Sequence, residues 1–360
     1  MHKVILLITN NQQADGNILF HNKIDRKTAT LHDVARAVGV SPGTVSRALT
    51  RPDLVAPKTR EHILKVVQQL HYVAHAAGRN LRLSARNLIG AVIPKTGIST
   101  FSQTIAGLND TFEAHGMTLI ISQPEITSTS SNSAVYKLIE RGVDALILLG
   151  ENHDPEILEM LDHRNLPYVM LWTVRAPTGK MHVSVNQVLA GSLAAEHLLK
   201  LGHRNFAYVG SPLSLNPRAE ARIKGVQSHL KKAGIFLLKS AIIEEHHQFG
   251  SAREAAETIL DRHPETTAII CTSDYHALGV LRGLYEMNKR VPNDLSVVSF
   301  NNNDFSAFSM PSITTVDLKQ REVGVQAALL TLKLLKGEKA KSIFVAPELV
   351  ARESSGLAVG

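Results

Sequence analysis

Apolar residues at Leu31, Val34, Ala35 and Val38 recur at the spacing of one helix face. Thr30 stands as the N-cap of that helix, and Asp33 complements its first turn. Gly39 stops it, because glycine enters the left-handed region without a Cβ penalty. Ser41-Pro42 opens a second helix, with serine as cap and proline at the first helical position, where its missing N–H is not needed. Val45 and Ala48-Leu49 supply its buried face, and Ala35 is small enough for the two helices to cross closely. A third helix is predicted from about Pro57 to Leu70, with Ile63, Leu64, Val67 and Leu70 on one side. Helix, three-residue turn with glycine, helix is the helix-turn-helix unit, although a structural helical hairpin gives similar periodicity.

From Leu88 short apolar runs alternate with helical stretches. Strands are predicted at 88–93, 118–122, 145–149, 168–171, 182–185, 206–209, 268–271, 296–300 and 343–349. Helices fall at 104–115, 134–141, 189–201, 222–233, 252–262, 277–287 and 321–335. Such alternation predicts parallel sheets with helices on both faces. The strands are too many for one small sheet. The expected fold is therefore a small all-α headpiece followed by an α/β core of two Rossmann-like subdomains. No internal repeat or low-complexity tract is present.

Composition narrows the class. The 360 residues are 44% hydrophobic, enough for sizeable cores. The single cysteine, Cys271, excludes a disulfide framework and a cysteine-based zinc site. No apolar run is long enough to span a bilayer, and Val4–Ile8 is too short for a signal-peptide core. A cytoplasmic protein with no membrane role is expected. Nothing supports an enzyme: G-x-G-x-x-G after a strand, the P-loop, the G-x-S-x-G elbow and H-E-x-x-H are all absent. His71 and His75 stand at i and i+4 but lack a third ligand, and His246-His247 reads as a loop pair. No cofactor and no metal site is expected.

Charge changes the picture. The chain is +7 overall, but residues 21–90 carry twelve basic and four acidic residues and hold a net +8. Residues 91–360 are nearly neutral. A charge run is ordinarily a solvated face. Here it coincides with a second helix that carries Ser41, Thr44, Ser46 and Arg47, short hydroxyls plus an arginine suited to phosphate contact and major-groove reading.

Residues 30–90 resemble the DNA-binding headpiece of the LacI/GalR repressor family. The carriers are DVARAVGVSPGTVSRAL, the VAPKTR that follows, and LHY at the close. The resemblance implies that the second helix lies in the major groove. The implied DNA-contacting residues are Thr30, Ser41, Pro42, Gly43, Thr44, Ser46, Arg47, Thr50, Arg60, His75, Arg79 and Leu81. Pro42 and Gly43 occupy the variable base-reading positions without a hydrogen-bonding side chain, so specificity leans on Thr44, Arg47 and the hinge. Leu81 matches the leucine that the family wedges into the minor groove. Ala74-His75 replaces the family's usual Pro-Asn, and Gly78 replaces an alanine at a cost of about 1 kcal/mol to the hinge helix. The hinge is expected either to order only on operator binding or to order weakly.

The resemblance extends to about residues 28–357 through LGHRNFAYVG, RIKGV, TSDYHALGVLR, VPNDLSVVSFNN, PSITTV and PELVARES. It implies a periplasmic-binding-protein-like core with a ligand cleft and three crossovers, expected near 171–174, 315–318 and 337–341. The expected organisation is an extra arm at 1–27 with no family counterpart, either disordered or the product of an upstream start codon, then a headpiece at 28–73, a hinge at 74–87 and a core at 88–357. Within the core, 88–171 and 318–337 form one subdomain, and 174–315 and 341–357 the other. No apolar heptads close the chain, so no tetramerising coiled coil is expected.

By position, the implied effector residues are Phe101, His153, Trp172, Arg218, Arg222, Ser273 and Asn301. Arg222 matches the family's cleft arginine; its alternative is a surface arginine on a helix start. Phe101 and Trp172 either stack on a ligand or pack in the core. Asn301 stands where the family commonly has aspartate, and Asp274 reads as structural. His153, Trp172 and the 218–222 stretch resemble the gluconate-repressor branch. Asn301 removes a negative charge, while Arg218, Arg222, Lys95 and His153 add positive charge. A sugar-acid effector is then easier to bury, and a neutral sugar remains the alternative.

The resemblance thus implies a repressor of a carbohydrate-utilisation operon, acting as a homodimer on double-stranded operator DNA and controlled by a small sugar or sugar acid. The rival is a solute-binding receptor of the same core fold without a DNA role, which needs an export signal.

Overall fold

The computed structural model describes residues 29–70, 72, 86–95, 101–125, 128–245 and 249–358. The chain divides into two units between Ser84 and Ala85. The 1–27 arm, His71, His75, Arg79, Leu81, most of the hinge and His246-His247 lie outside the described residues.

In the first unit, α1 (Leu31–Val38) begins at a reciprocal cap. Thr30 Oγ1 accepts from Asp33 N at 3.3 Å, and Asp33 Oδ2 accepts from Thr30 N at 2.9 Å. Gly39 ends it at φ +75°. Helix α2 (Pro42–Thr50) starts at Ser41, whose Oγ accepts from Thr44 N at 3.1 Å. Helix α3 (Pro57–Gln69) closes the unit. Val34, Ala35, Val45, Ala48, Val55, Ile63 and Val66 form its core. Leu64 and Leu70 are 38% and 37% exposed, so the buried line of α3 runs through Ile63 and Val66 instead of the expected Ile63-Leu64-Leu70 face. The valine lies one turn from Ile63 on the side that α1 covers.

The second unit contains two six-stranded sheets. The first has strand order β11-β5-β4-β3-β1-β2, all parallel, from β1 (Leu88–Val92), β2 (Thr118–Ser122), β3 (Ala145–Leu149), β4 (Tyr168–Leu171), β5 (His182–Val185) and β11 (Ile343–Val345). The second has order β12-β10-β9-β8-β6-β7, from β6 (Phe206–Gly210), β7 (Ile242–Glu244), β8 (Ala268–Cys271), β9 (Ser296–Phe300), β10 (Thr314–Asp317) and β12 (Glu348–Val350). Only β12 is antiparallel to its neighbour. Intervening helices are α4 (Ser102–Ala114), α5 (Ser128–Glu140), α6 (Pro155–His163), α7 (Gln187–Lys200), α8 (Pro217–Lys232), α9 (Phe249–Arg262), α10 (Asp274–Glu286) and α11 (Gln320–Leu335). This is the expected fold class, a helix-turn-helix headpiece with a two-subdomain α/β core.

Two of the three crossovers move. The segment after β4 is a polar loop that returns to the same sheet, where His182 pairs with Met170. The first crossing is therefore at Asn186, the N-cap of α7, and not at 171–174. The expected strand 343–349 is two strands in different sheets. Pro347 has no N–H for a ladder, and the chain crosses at Ala346-Pro347 instead of 337–341. The crossing between β10 and α11 lies where 315–318 was expected. The core also starts earlier than residue 88: Asp144 accepts from Arg86 N at 2.9 Å and from Leu88 N at 3.0 Å. The sequence reading missed α6, β7 and β10.

Glycine sets how closely α7 and α8 pack. A Cβ on Gly191 would lie 2.0 Å from Arg222 O, and one on Gly225 would lie 2.0 Å from Val188 O. Only two bare backbones fit this crossing, which brings Gln187 of α7 to Arg222 of α8.

His203 pins the C-terminal segment. It is buried, and its Nε2 donates to Gly356 O at 3.1 Å, while Nδ1 meets Thr267 Oγ1 at 3.0 Å. Burial holds its pKa below the ordinary 6.5, outweighing the Gly356 contact. The neutral ring therefore contributes full stability above about pH 6.5, and that contribution is lost as pH falls through the lowered value. The expected outcome is a melting temperature that drops as pH falls below about 6.5, with a shallower drop in His203→Gln. An unchanged pH slope in that variant contradicts the assignment.

Candidate functional site

Helix α2 presents the headpiece's candidate contact face. Arg47 is exposed in its last turn, and Arg60 is exposed in the first turn of α3. Ser41 and Thr44 share a hydroxyl contact at 2.9 Å, and the Thr30 hydroxyl donates to Asp33 at 2.7 Å. These three hydroxyls therefore serve helix caps as well as facing outward. Pro42, Gly43 and Ser46 lie on the same helix, which ends at Thr50. Of the +8 excess, residues 29–72 hold only +3, so most of it flanks the helices.

The second candidate site lies where the carboxyl ends of the two sheets meet. At those ends stand Phe101, His153 and Trp172 in the first subdomain and Arg218, Arg222, Ser273 and Asn301 in the second, and Phe101, Trp172 and Arg218 make contact across the junction. Phe101 and Trp172 are buried against each other, ring centroids 5.3 Å apart. Arg218, just inside the Asn216-capped start of α8, reaches across to them. Its guanidinium lies 5.5 Å from the Phe101 centroid, and Nη1 donates a long bond of 3.5 Å to Trp172 O. Arg222 is buried and held within its own subdomain. Its Nε donates to Gln187 Oε1 at 2.8 Å, Nη1 donates to Thr272 O, and the group sits over Phe300 at 5.2 Å.

Burial lowers the pKa of both arginines, Arg222 to about 10. Both stay charged at neutral pH. His153 is also pushed below its ordinary value by burial, so it is neutral and adds no charge here, contrary to expectation. Lys95 is spent on an exposed ion pair with Glu125. Of the four expected positive groups, only Arg218 and Arg222 therefore bring charge to the cleft.

Three buried polar atoms of this region have no hydrogen-bond partner among the described residues: His153 Nε2, Trp172 Nε1 and Gln320 Oε1. Gln320 was not foreseen; it opens α11 just after the crossing, beside a cavity of about 490 Å³ that Asn301, Asn302 and Asp317 also line. Glu151 was missed too: its Oε2 accepts from Val174 N at 2.9 Å and its charge acts on Arg218. Neither residue type carried a signal in the sequence.

Asp274 braces the floor. It is fully buried and accepts from Ser299, Asn303 N (2.6 Å), Asn303 Nδ2 (3.1 Å) and Thr315 (2.8 Å). Burial still raises its pKa. These bonds fix the loop in which Asn301 takes φ +109° and Asn302 φ +56°. Ser273 caps α10 and bonds His276 at 2.8 Å, so its hydroxyl is already engaged. No cluster of three or more His, Cys, Asp or Glu placed to hold a metal occurs among the described residues. Among them, too, no helix is long and apolar enough to cross a membrane.

Residues 30–75 match the family of bacterial regulatory proteins called lacI, and residues 195–355 match a periplasmic binding protein-like domain. The HTH-type transcriptional repressor PurR of Vibrio vulnificus is 30% identical over 329 residues, covering 91% of this chain and 98% of that protein. The repressor CytR of Escherichia coli K12 is 29% identical over 317 residues, covering 88% and 92%. A Lac repressor dimer bound to operator and the anti-inducer ONPF superposes with a TM-score of 0.80 at 25% identity, covering 92% and 100%. Neither named relative is a gluconate repressor.

The Asp274 network predicts a cost for an isosteric change. Asp274→Asn turns one acceptor into a donor facing donors, at about 1–3 kcal/mol for each mispaired group. The core melting temperature should fall by at least about 5 °C in a thermal scan. A change within about 1 °C would show that the network is dispensable.

Proposed function

The chain belongs to the LacI family of bacterial regulatory proteins, and from that premise we propose a repressor whose hold on operator DNA is set by a small anionic carbohydrate in its core. As a family member it is a DNA-binding transcriptional regulator. In this reading α2 enters the major groove of operator DNA, with Thr44 and Arg47 reading bases and the remaining headpiece hydroxyls and Arg60 meeting phosphates. The chain works as a homodimer, because two-fold recognition of a pseudo-palindromic operator needs two headpieces. The core takes a sugar acid of gluconate type, and the regulated genes serve carbohydrate use.

The observation that carries the effector half is the set of buried, unpartnered polar atoms beside an arginine pair. Buried polar groups are ordinarily hydrogen-bonded, and a buried cation calls for an anion. A polyhydroxylated acid satisfies both demands with one molecule. Closure around it shifts the core between states that differ in operator affinity.

Arg47 gives the test of the DNA half. It is exposed on α2 and holds no structural contact whose loss would unfold the headpiece. In a gel shift on the DNA upstream of the chain's own gene, Arg47→Ala should weaken specific binding at least about tenfold per headpiece. Specific binding that survives at wild-type strength refutes the assignment of α2.

A further inference from the structure

The two cleft arginines do different work. Arg222 is committed: both of its named hydrogen bonds, to Gln187 and Thr272, stay inside the second subdomain. Arg218 is uncommitted. Its one hydrogen bond is long, and among the described residues it makes no ion pair. It is also the arginine that crosses. Its helix belongs to the second subdomain, while its guanidinium lies on Phe101 and Trp172 of the first. An added Cβ on Gly150 would lie 3.9 Å from Arg218 Nη1, so the guanidinium sits over the loop that leads to His153. The buried Trp172 Nε1, without a partner among the described residues, belongs to a ring packed on Phe101, which Arg218 also overlies.

We propose that Arg218, not Arg222, receives the effector's carboxylate, with Trp172 Nε1 as its second contact. This deepens the proposed function and rests on it. The chemistry of the corner fits an anion. Arg218 offers several free N–H donors and Trp172 one, and the positive end of α8 lies beside them. The opposing acid, Glu151, already accepts from Val174 N. A carboxylate here touches donors from both subdomains at once, so the acid group ties them together. Hydroxyls of the same molecule fall to Arg222 and Asn301. Arg218 is thereby a specificity-determining residue: it separates a sugar acid from the polyol of the same shape.

Calorimetry on the full-length protein with matched pairs tests this: D-gluconate with D-glucitol, D-galactonate with galactitol, D-xylonate with xylitol. At least one acid should bind, with its polyol at least about 30-fold weaker, as expected for losing a charged hydrogen-bonded pair. Arg218→Gln should bring the acid down to the affinity of its polyol while leaving the polyol within about twofold of wild type. Trp172→Phe keeps the ring against Phe101 and deletes only the donor, so it provides a second route if Arg218→Gln does not fold. It should cost the acid about tenfold and the polyol less than about twofold. An acid preference that survives both substitutions overturns the Arg218 assignment alone. Binding of polyols but of no acid overturns the acid reading of the cleft as well.

Discussion

A guanidinium taken out of water must be compensated by protein or ligand, and this constraint organises the core. Arg222 meets it inside one subdomain, where Gln187, the Thr272 carbonyl and the Phe300 ring surround it. That compensation exists because α7 and α8 cross backbone to backbone at Gly191 and Gly225. A side chain at either glycine would push the helices apart and pull Gln187 from Arg222. Arg218, one turn earlier on α8, meets the constraint only in part, through an aromatic face and one long bond across the cleft. The same helix thus carries one cation that is structurally complete and one that is not. In the proposed reading an anion completes the second by bridging the two subdomains.

The headpiece obeys a different logic. Its core is seven small and medium apolar residues, and its helix starts are fixed by side-chain caps at Thr30 and Ser41. Capping hydroxyls at the start of α2 are also the groups best placed for phosphate, since helix N-termini favour anions. In the proposed reading, stability and DNA contact therefore draw on the same residues there. Arg47 is the exception, because no structural contact competes for it.

Local chemistry was the part most legible in the sequence. Thr30, Gly39 and Ser41-Pro42 mark helix ends by backbone rules that act within a few residues, and the observed helices end there. The apolar strands 118–122, 145–149, 168–171 and 296–300 have the bounds their patterns predict. What failed depended on distant partners. β10 is threonine-rich and carried no apolar run, yet its hydroxyls are satisfied by Asp274 and Ser355. The 172–181 loop looked like a linker because nothing local shows that β5 pairs back to β4. Within the site, Arg222 was visible through family resemblance. The neutrality of His153, the Lys95–Glu125 pairing and the unpartnered atoms of Trp172 and Gln320 follow only from burial, which composition and spacing do not report.

In the proposed reading, acid binding in the core and operator binding by the headpiece are coupled. Fluorescence anisotropy of labelled operator DNA with the full-length protein measures this directly, with and without a sugar acid shown to saturate the core. Operator Kd should shift at least about fivefold with the acid and not at all with its matched polyol, within the range of ordinary coupling energies. An operator Kd that is the same with and without the bound acid would contradict that coupling.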